Sequence, residues 1–219
     1  MAPFGTIYSY PGNFRVLRAQ VIADLNGLEL KNADFQMGVT NKSPEFLAKF
    51  PLGKVPAFEG ADGFCLTEGA AISTYIAGSG PKASQLLGAD MKTKARIAEW
   101  TLFTETEIVA HATPALVAMY KLIPYDEASQ AVSAERFERA LTKIEGTVKD
   151  GKKFLVGEEL TLADLMVVSA LYMAGGPIFD AEMRAKVPAT LEYVKGISSI
   201  PQFAKVFGDF KPCEKRFKA

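Results

Sequence analysis

A change in hydrophobic pattern near residue 80 limits the folds that this chain of 219 residues can adopt. Before that point, short apolar runs typical of strands alternate with apolar residues at helical spacing, and after it only helical spacing remains. The segment 78–81 reads Gly-Ser-Gly-Pro, whose residues interrupt regular structure, and the residues up to 89 show no clear period. We therefore predict a domain at 1–80, a linker at 81–89 and an all-helical domain at 90–219.

The first domain is predicted to combine strands and helices in a definite order. Apolar residues at helical spacing begin at Phe14, and Gly27 follows them, where a helix commonly ends in a left-handed residue. The segment 60–63 reads Gly-Ala-Asp-Gly and separates two short apolar runs, which predicts a hairpin. A strand, a helix and a second strand in succession normally form a parallel pair. The predicted elements are strands at 6–10 and 28–35, helices from 14 and from 44, a hairpin at 55–67 and a helix from 68, an arrangement typical of a thioredoxin-like α/β domain.

The second domain is predicted to contain helices only. Helical spacing indicates one long helix at 90–112 and another at 129–149. At the start of a third helix, the Thr161 hydroxyl can accept from the Asp164 amide while the Asp164 side chain reaches back, which is a capping box. The segment 165–173 is apolar at nearly every position, so this third helix is expected to be buried on almost all sides.

The composition excludes several kinds of function. Basic and acidic residues number 25 each, so no overall charge favours nucleic acid. One histidine, His111, and two distant cysteines, Cys65 and Cys213, do not provide the usual ligands of zinc, and no metal is expected. The sequence has no glycine-rich phosphate-binding motif, no Gly-x-Ser-x-Gly and no apolar run of about 18 residues. We expect a cytoplasmic protein with reduced thiols that binds neither membranes nor nucleic acid directly.

Motifs in both halves of the chain resemble those of the cytosolic glutathione transferases. They are Gly-Lys-Val-Pro-Ala-Phe at 53–58, Leu-Thr-Glu at 66–68 followed by Ala71 and Ile72, Phe-Leu-Val-Gly at 154–157 and Leu-Thr-Leu-Ala-Asp at 160–164. The similarity covers nearly the whole chain. It implies the glutathione transferase fold, in which a thioredoxin-like glutathione-binding domain is followed by a helical domain.

A closer resemblance is to the gamma subunits of eukaryotic translation elongation factor one-B, whose N-terminal domain is transferase-like. The residues that carry it lie at 5–8, 43–47, 50–59, 62–65 and 213–215. The resemblance implies a homodimeric scaffold that docks the nucleotide-exchange subunit of the elongation factor complex and is able to bind glutathione. The alternative is a free-standing transferase that adds the thiolate of glutathione to electrophiles.

The resemblance also assigns a glutathione site in the first domain. It implies that the Val55–Pro56 peptide bond is cis and that the Val55 backbone pairs with the cysteinyl part of glutathione like an added strand. Glu68 would face the ligand's ammonium group, and the amides from Gly69 onward would receive the γ-glutamyl carboxylate at a helix start. Lys54 is placed to meet the glycyl carboxylate.

Gly69 departs from the family pattern. A serine usually stands at this position, and its hydroxyl donates to the γ-glutamyl carboxylate. A hydrogen bond to a charged group contributes roughly 1.5–3 kcal/mol. We therefore expect glutathione binding to be retained but weakened.

The residue that stabilises the thiolate is expected near the end of the first strand. Family members place tyrosine, serine or cysteine there, and this chain offers Tyr10 and Asn13 as the first candidates, with Tyr8 and Ser9 behind them. Strand alternation puts Tyr8 and Tyr10 on one face, where Tyr8 could instead be a core ring with its hydroxyl bonded.

Overall fold

Within residues 3–219, which the computed structural model describes, the chain divides into one unit that ends at Leu87 and another that begins at Gly88. The strands of the first unit are β1 (Gly5–Tyr8), β2 (Leu30–Asn32), β3 (Ala57–Gly60) and β4 (Cys65–Leu66). Its α-helices are α1 (Phe14–Asn26), α2 (Pro44–Lys49), α3 (Gly69–Gly78) and α4 (Ala83–Leu87).

The strands form one mixed sheet in the order β2-β1-β3-β4. β1 is parallel to β2 and antiparallel to β3, and β3 and β4 form the predicted hairpin. The thioredoxin-like arrangement is therefore confirmed. Because Tyr8 pairs with Ala57, the residues that follow β1 lie beside those that precede β3.

The ends of two strands differ from the sequence prediction. β1 ends at Tyr8, two residues early, because Pro11 and Gly12 form a turn and Asn13 already caps α1. The Asn13 Oδ1 accepts a hydrogen bond from the Arg15 amide at 3.1 Å, so this residue belongs to the helix start. β2 is likewise shorter than the predicted strand at 28–35.

An aromatic cluster fills one side of this sheet. Phe46 and Phe50, which belong to α2 and its C-terminal end, are buried with Ala57, and their rings lie 4.9 Å apart between centroids. Half-buried Tyr8 and Val55 pack against the same cluster. This packing connects the end of β1 to the segment before β3, where the resemblance places the ligand.

The regular elements of the second unit are all helices. Its α-helices are α5 (Met91–Phe103), α6 (Ala110–Met119), α7 (Glu127–Val148), α8 (Leu162–Gly175), α9 (Ala181–Ala185), α10 (Pro188–Ser198) and α11 (Pro201–Phe207). The prediction of a helical second domain is confirmed, as is the burial of α8 on nearly all sides. No helix within residues 3–219 has the length and apolar character required to cross a membrane.

Two details depart from the expected helices. The segment predicted at 90–112 continues to Met119, and Thr104–Val109 forms a π-helical turn between α5 and α6. Thr104 and Thr106 bond back to carbonyl groups four residues earlier, which distorts helices and accompanies the wider turn. The segment 81–89, predicted as a linker, contains the short helix α4, whose Leu86 is fully buried.

Candidate functional site

The segments that the resemblance assigns to ligand binding adjoin one another in the first unit. The connection after β1 lies beside the segment before β3, because Tyr8 pairs with Ala57. β4 pairs with β3 and leads directly into Glu68 and α3. Five predicted site residues, Lys54, Val55, Pro56, Glu68 and Gly69, therefore lie at two neighbouring chain segments.

Val55 presents an open backbone edge. Its peptide N–H and C=O make no hydrogen bond within residues 3–219, although buried or half-buried backbone groups are normally paired. The Val55–Pro56 bond is cis, as the resemblance implies. The preceding turn is fixed, since the Asn41 Nδ2 donates to the Gly53 carbonyl at 2.8 Å. A peptide can pair with Val55 without displacing a bond of the protein.

α3 begins next to this edge without a capping side chain. Glu68 occupies the cap position with φ 64° and ψ 114°, and its own side chain does not cap the helix. The first turn contains no acidic residue, so the free amide groups and the positive end of the helix dipole favour an added carboxylate. Glu68 is exposed and Gly69 is buried.

Tyr8 has a structural role. Its hydroxyl donates to Glu59 Oε2 at 2.8 Å, and Glu59 also binds the Lys49 Nζ at 2.6 Å. The Tyr8 ring packs edge-on against Phe46. Burial, followed by the hydrogen bond to Glu59, raises the pKa of Tyr8. Tyr8 is therefore held in the core cluster with its hydroxyl bonded, which is one of the two roles that the sequence allows.

Ser9, Tyr10 and Asn13 form the connection between β1 and α1. Asn13 is 3% exposed, and its Nδ2 donates to the Ser9 Oγ at 3.0 Å. Because a hydroxyl both accepts and donates, the Ser9 proton remains available to another acceptor. Tyr10 is 44% exposed, and its hydroxyl has no hydrogen-bond partner in the described part of the chain. The strand alternation predicted for Tyr8 and Tyr10 does not extend this far, because β1 has already ended.

His111 belongs to α6 in the second unit. Its Nε2 is 3.9 Å from Glu107 Oε2, and burial lowers its pKa. No cluster of three or more potential metal ligands occurs among residues 3–219.

The sequence reasoning missed Arg15, whose side chain lies against Gly69. Arg15 stands in the first turn of α1, three residues before buried Arg18. This position on a helix gives no signal of a contact with a residue 54 positions further along the chain. The contact therefore becomes visible only in the folded structure.

Comparison with known proteins establishes the family. The model of the glutathione S-transferase N-terminal domain matches residues 3–78, and that of the C-terminal domain matches residues 108–201. A glutathione S-transferase-like protein of a Fusarium species is 43% identical over 208 residues, which cover 95% of this chain and 94% of that protein. The chain belongs to the glutathione S-transferase family.

Relatives of this glutathione S-transferase family member also include elongation factors. Elongation factor 1-gamma-A of Xenopus laevis is 34% identical over 215 residues, which cover 96% of this chain and 48% of that protein. The chain thus spans about half the length of that relative. The crystal structure of the GST-like domain of elongation factor 1-gamma from Saccharomyces cerevisiae aligns with a TM-score of 0.83 and 26% identity, covering 100% of this chain and 99% of that one. Both resemblances drawn from the sequence are confirmed, but the Fusarium protein, at 43% identity, is more similar to this chain than the elongation factor, at 34%.

Proposed function

We propose that this protein binds glutathione between Val55 and the start of α3 and transfers its thiolate to electrophiles. The observation that carries the proposal is the unpaired backbone edge of Val55 beside the uncapped start of α3. The cysteinyl part of glutathione pairs with Val55 as a short added strand. Glu68 faces the γ-glutamyl ammonium group, the α3 amides receive its carboxylate, and exposed Lys54 meets the glycyl carboxylate.

The chemical step requires a stabilised thiolate. A free thiol has a pKa of about 8.5, and lowering it by two units requires roughly 2.7 kcal/mol of preferential stabilisation of the anion. The Tyr10 hydroxyl and the Ser9 hydroxyl that Asn13 positions are the available donors. The thiol loses its proton to solvent, the sulfur attacks the electrophilic carbon, and the leaving group departs with the bonding electrons.

Calorimetry tests the binding step. Titration of the unaltered protein with glutathione is expected to give measurable heat that saturates at millimolar concentrations, since Lys54, Val55 and Glu68 are present. No heat and no saturation at millimolar glutathione would refute the proposed function.

The rate at which glutathione is conjugated to a chlorinated aromatic compound tests which side chain stabilises the thiolate. Tyr10→Phe or Asn13→Ala is expected to lower kcat by about tenfold or more, because each removes a donor or its positioning. Ser9→Ala shows whether Asn13 acts through the serine. Tyr8→Phe is the matched control, and its rate is expected to stay within about twofold because the Tyr8 hydroxyl already donates to Glu59. Unchanged rates for both Tyr10→Phe and Asn13→Ala would remove this assignment.

A second candidate function is scaffolding in translation. It is favoured by the 34% identity to elongation factor 1-gamma-A along 96% of this chain. In this role a homodimer docks the nucleotide-exchange subunit of the elongation factor complex, and the glutathione site is retained. A pull-down with the N-terminal region of that subunit is expected to capture the protein with and without glutathione. Failure of the pull-down under both conditions would contradict the scaffolding role, and the free-standing transferase would remain as the proposed function.

A further inference from the structure

Gly69 is in close contact with a charged side chain of α1. A Cβ at Gly69 would lie 2.6 Å from Arg15 Cδ, 3.1 Å from Cγ and 3.2 Å from Cβ. Carbon atoms without a bond between them do not approach to 2.6 Å, and these three atoms form the near part of the side chain rather than its flexible tip. A serine at position 69 and the observed Arg15 conformation therefore exclude each other.

Two further contacts hold Arg15 in this position. Its guanidinium carbon lies 4.6 Å from the centroid of the Phe14 ring, a distance typical of a cation–π contact. Its amide is bonded to the Asn13 cap, so the backbone from which the side chain extends is also fixed. The side chain is half-buried, and its stem covers Gly69 at the first residue of α3.

We infer that Arg15 takes over the carboxylate recognition that a serine at position 69 performs in relatives, and that Gly69 is required to make room for it. This inference rests on the proposed function, since the anion is the γ-glutamyl carboxylate of glutathione. The guanidinium starts one bond beyond the Cδ, and this Cδ lies against Gly69, the first residue of α3. A guanidinium can bind a carboxylate through two parallel hydrogen bonds, which a single hydroxyl cannot do.

A double-mutant cycle with Arg15→Ala and Gly69→Ser tests the inference by calorimetry with glutathione. Arg15→Ala is expected to weaken binding by at least about tenfold, the loss of a hydrogen bond to a charged group. Gly69→Ser alone is expected to weaken binding as well, because its side chain displaces Arg15. In the Arg15→Ala background the same serine is expected to tighten binding, since the hydroxyl then has space. A change in glutathione affinity that has opposite signs in the two backgrounds shows that positions 15 and 69 are coupled.

A glutathione analogue with its γ-glutamyl α-carboxylate converted to the carboxamide identifies the group that Arg15 contacts. Arg15→Ala is expected to leave the affinity for this analogue within about twofold, because the ionic partner is already absent. Arg139→Ala is the matched control for net charge, since Arg139 is exposed in the second unit, and its glutathione affinity is expected to be unchanged. Melting temperatures without ligand provide an independent readout: Gly69→Ser is expected to lower the melting temperature more in the unaltered background than with Arg15→Ala.

The outcomes separate this inference from the proposed function. If the unaltered protein binds glutathione and Arg15→Ala binds equally well, or if Gly69→Ser alone tightens binding, the inference is overturned while the proposed function stands. If the unaltered protein does not bind glutathione, both are refuted. Equal losses of melting temperature from Gly69→Ser in the two backgrounds would overturn the mutual exclusion of serine and Arg15.

Discussion

Replacement of Asp164 by alanine is expected to lower the free energy of unfolding by about 3–5 kcal/mol, because it leaves several buried donors without an acceptor. Asp164 is fully buried near the start of α8. Its oxygens accept from the Leu155 amide at 2.8 Å, from the Thr161 amide at 2.9 Å and hydroxyl at 3.0 Å, and from the Tyr193 hydroxyl at 2.9 Å. One carboxylate thus connects the start of α8 to the loop before it and to α10.

Burial is the largest influence on this carboxyl group. It raises the pKa of Asp164, although all the hydrogen bonds favour the ionised form. The same burial and the nearby carboxylate raise the pKa of Tyr193 well above its usual range, so its hydroxyl remains a donor. The Asp164 carboxyl is therefore stable in the core only while hydrogen-bond donors surround it.

Urea unfolding measures the effect, with Tyr193→Phe as the matched control. That control removes one donor and leaves the carboxylate with the others, so a loss of about 1.5–3 kcal/mol is expected, smaller than that of Asp164→Ala. A loss below about 1 kcal/mol for Asp164→Ala, or one no larger than that of Tyr193→Phe, would contradict the proposed role of Asp164.

The contacts of Asp164 include one that the sequence predicts and one that it does not. The cap between Thr161 and Asp164 was predictable, because its partners are three residues apart and the pattern is local. The bond to Tyr193 was not, since it joins residues 29 positions apart whose approach depends on the packing of α8 and α10. The strand, helix and hairpin order of the first domain was predictable for the same reason as the cap.

The residues of the candidate site also fall into two groups, those predictable from local motifs and those whose role depends on residues far away in sequence. Val55, Pro56 and Glu68 are predicted as site residues because they belong to motifs contiguous in sequence. Strand alternation does not decide the role of Tyr8, which depends on Glu59, 51 positions away. The contact between Arg15 and Gly69 also depends on the packing of α1 against α3. Local patterns predict where the candidate site lies, and contacts across the sheet and between helices determine what each side chain can do there.

Glu68→Gly is expected to make the protein more stable and to weaken its binding of glutathione. Glu68 is one of two non-glycine residues within residues 3–219 with positive φ, at 64°. Such a conformation costs of order 1–3 kcal/mol for a residue with a Cβ, and the entropy that glycine adds to the unfolded chain offsets part of the relief. A gain of about 1 kcal/mol in the free energy of unfolding is expected, together with a loss of affinity of about tenfold or more as the contact with the ammonium group disappears.

Two further substitutions separate the backbone effect from the loss of charge. Glu68→Gln and Glu68→Ala both keep a Cβ at positive φ, so neither is expected to stabilise the protein, while both should lose affinity for glutathione. Lys121→Gly is the matched control, since Lys121 has φ 57° in the second unit, and a gain in stability without a change in affinity is expected. A Glu68→Gly variant no more stable than Glu68→Ala would contradict backbone strain at position 68. Unchanged glutathione affinity of Glu68→Gln would contradict the contact between the Glu68 carboxylate and the ammonium group. If both effects are found, the strained backbone of Glu68 is retained at the expense of stability because it holds a charge where the ligand's ammonium group binds, as strained residues at functional sites do.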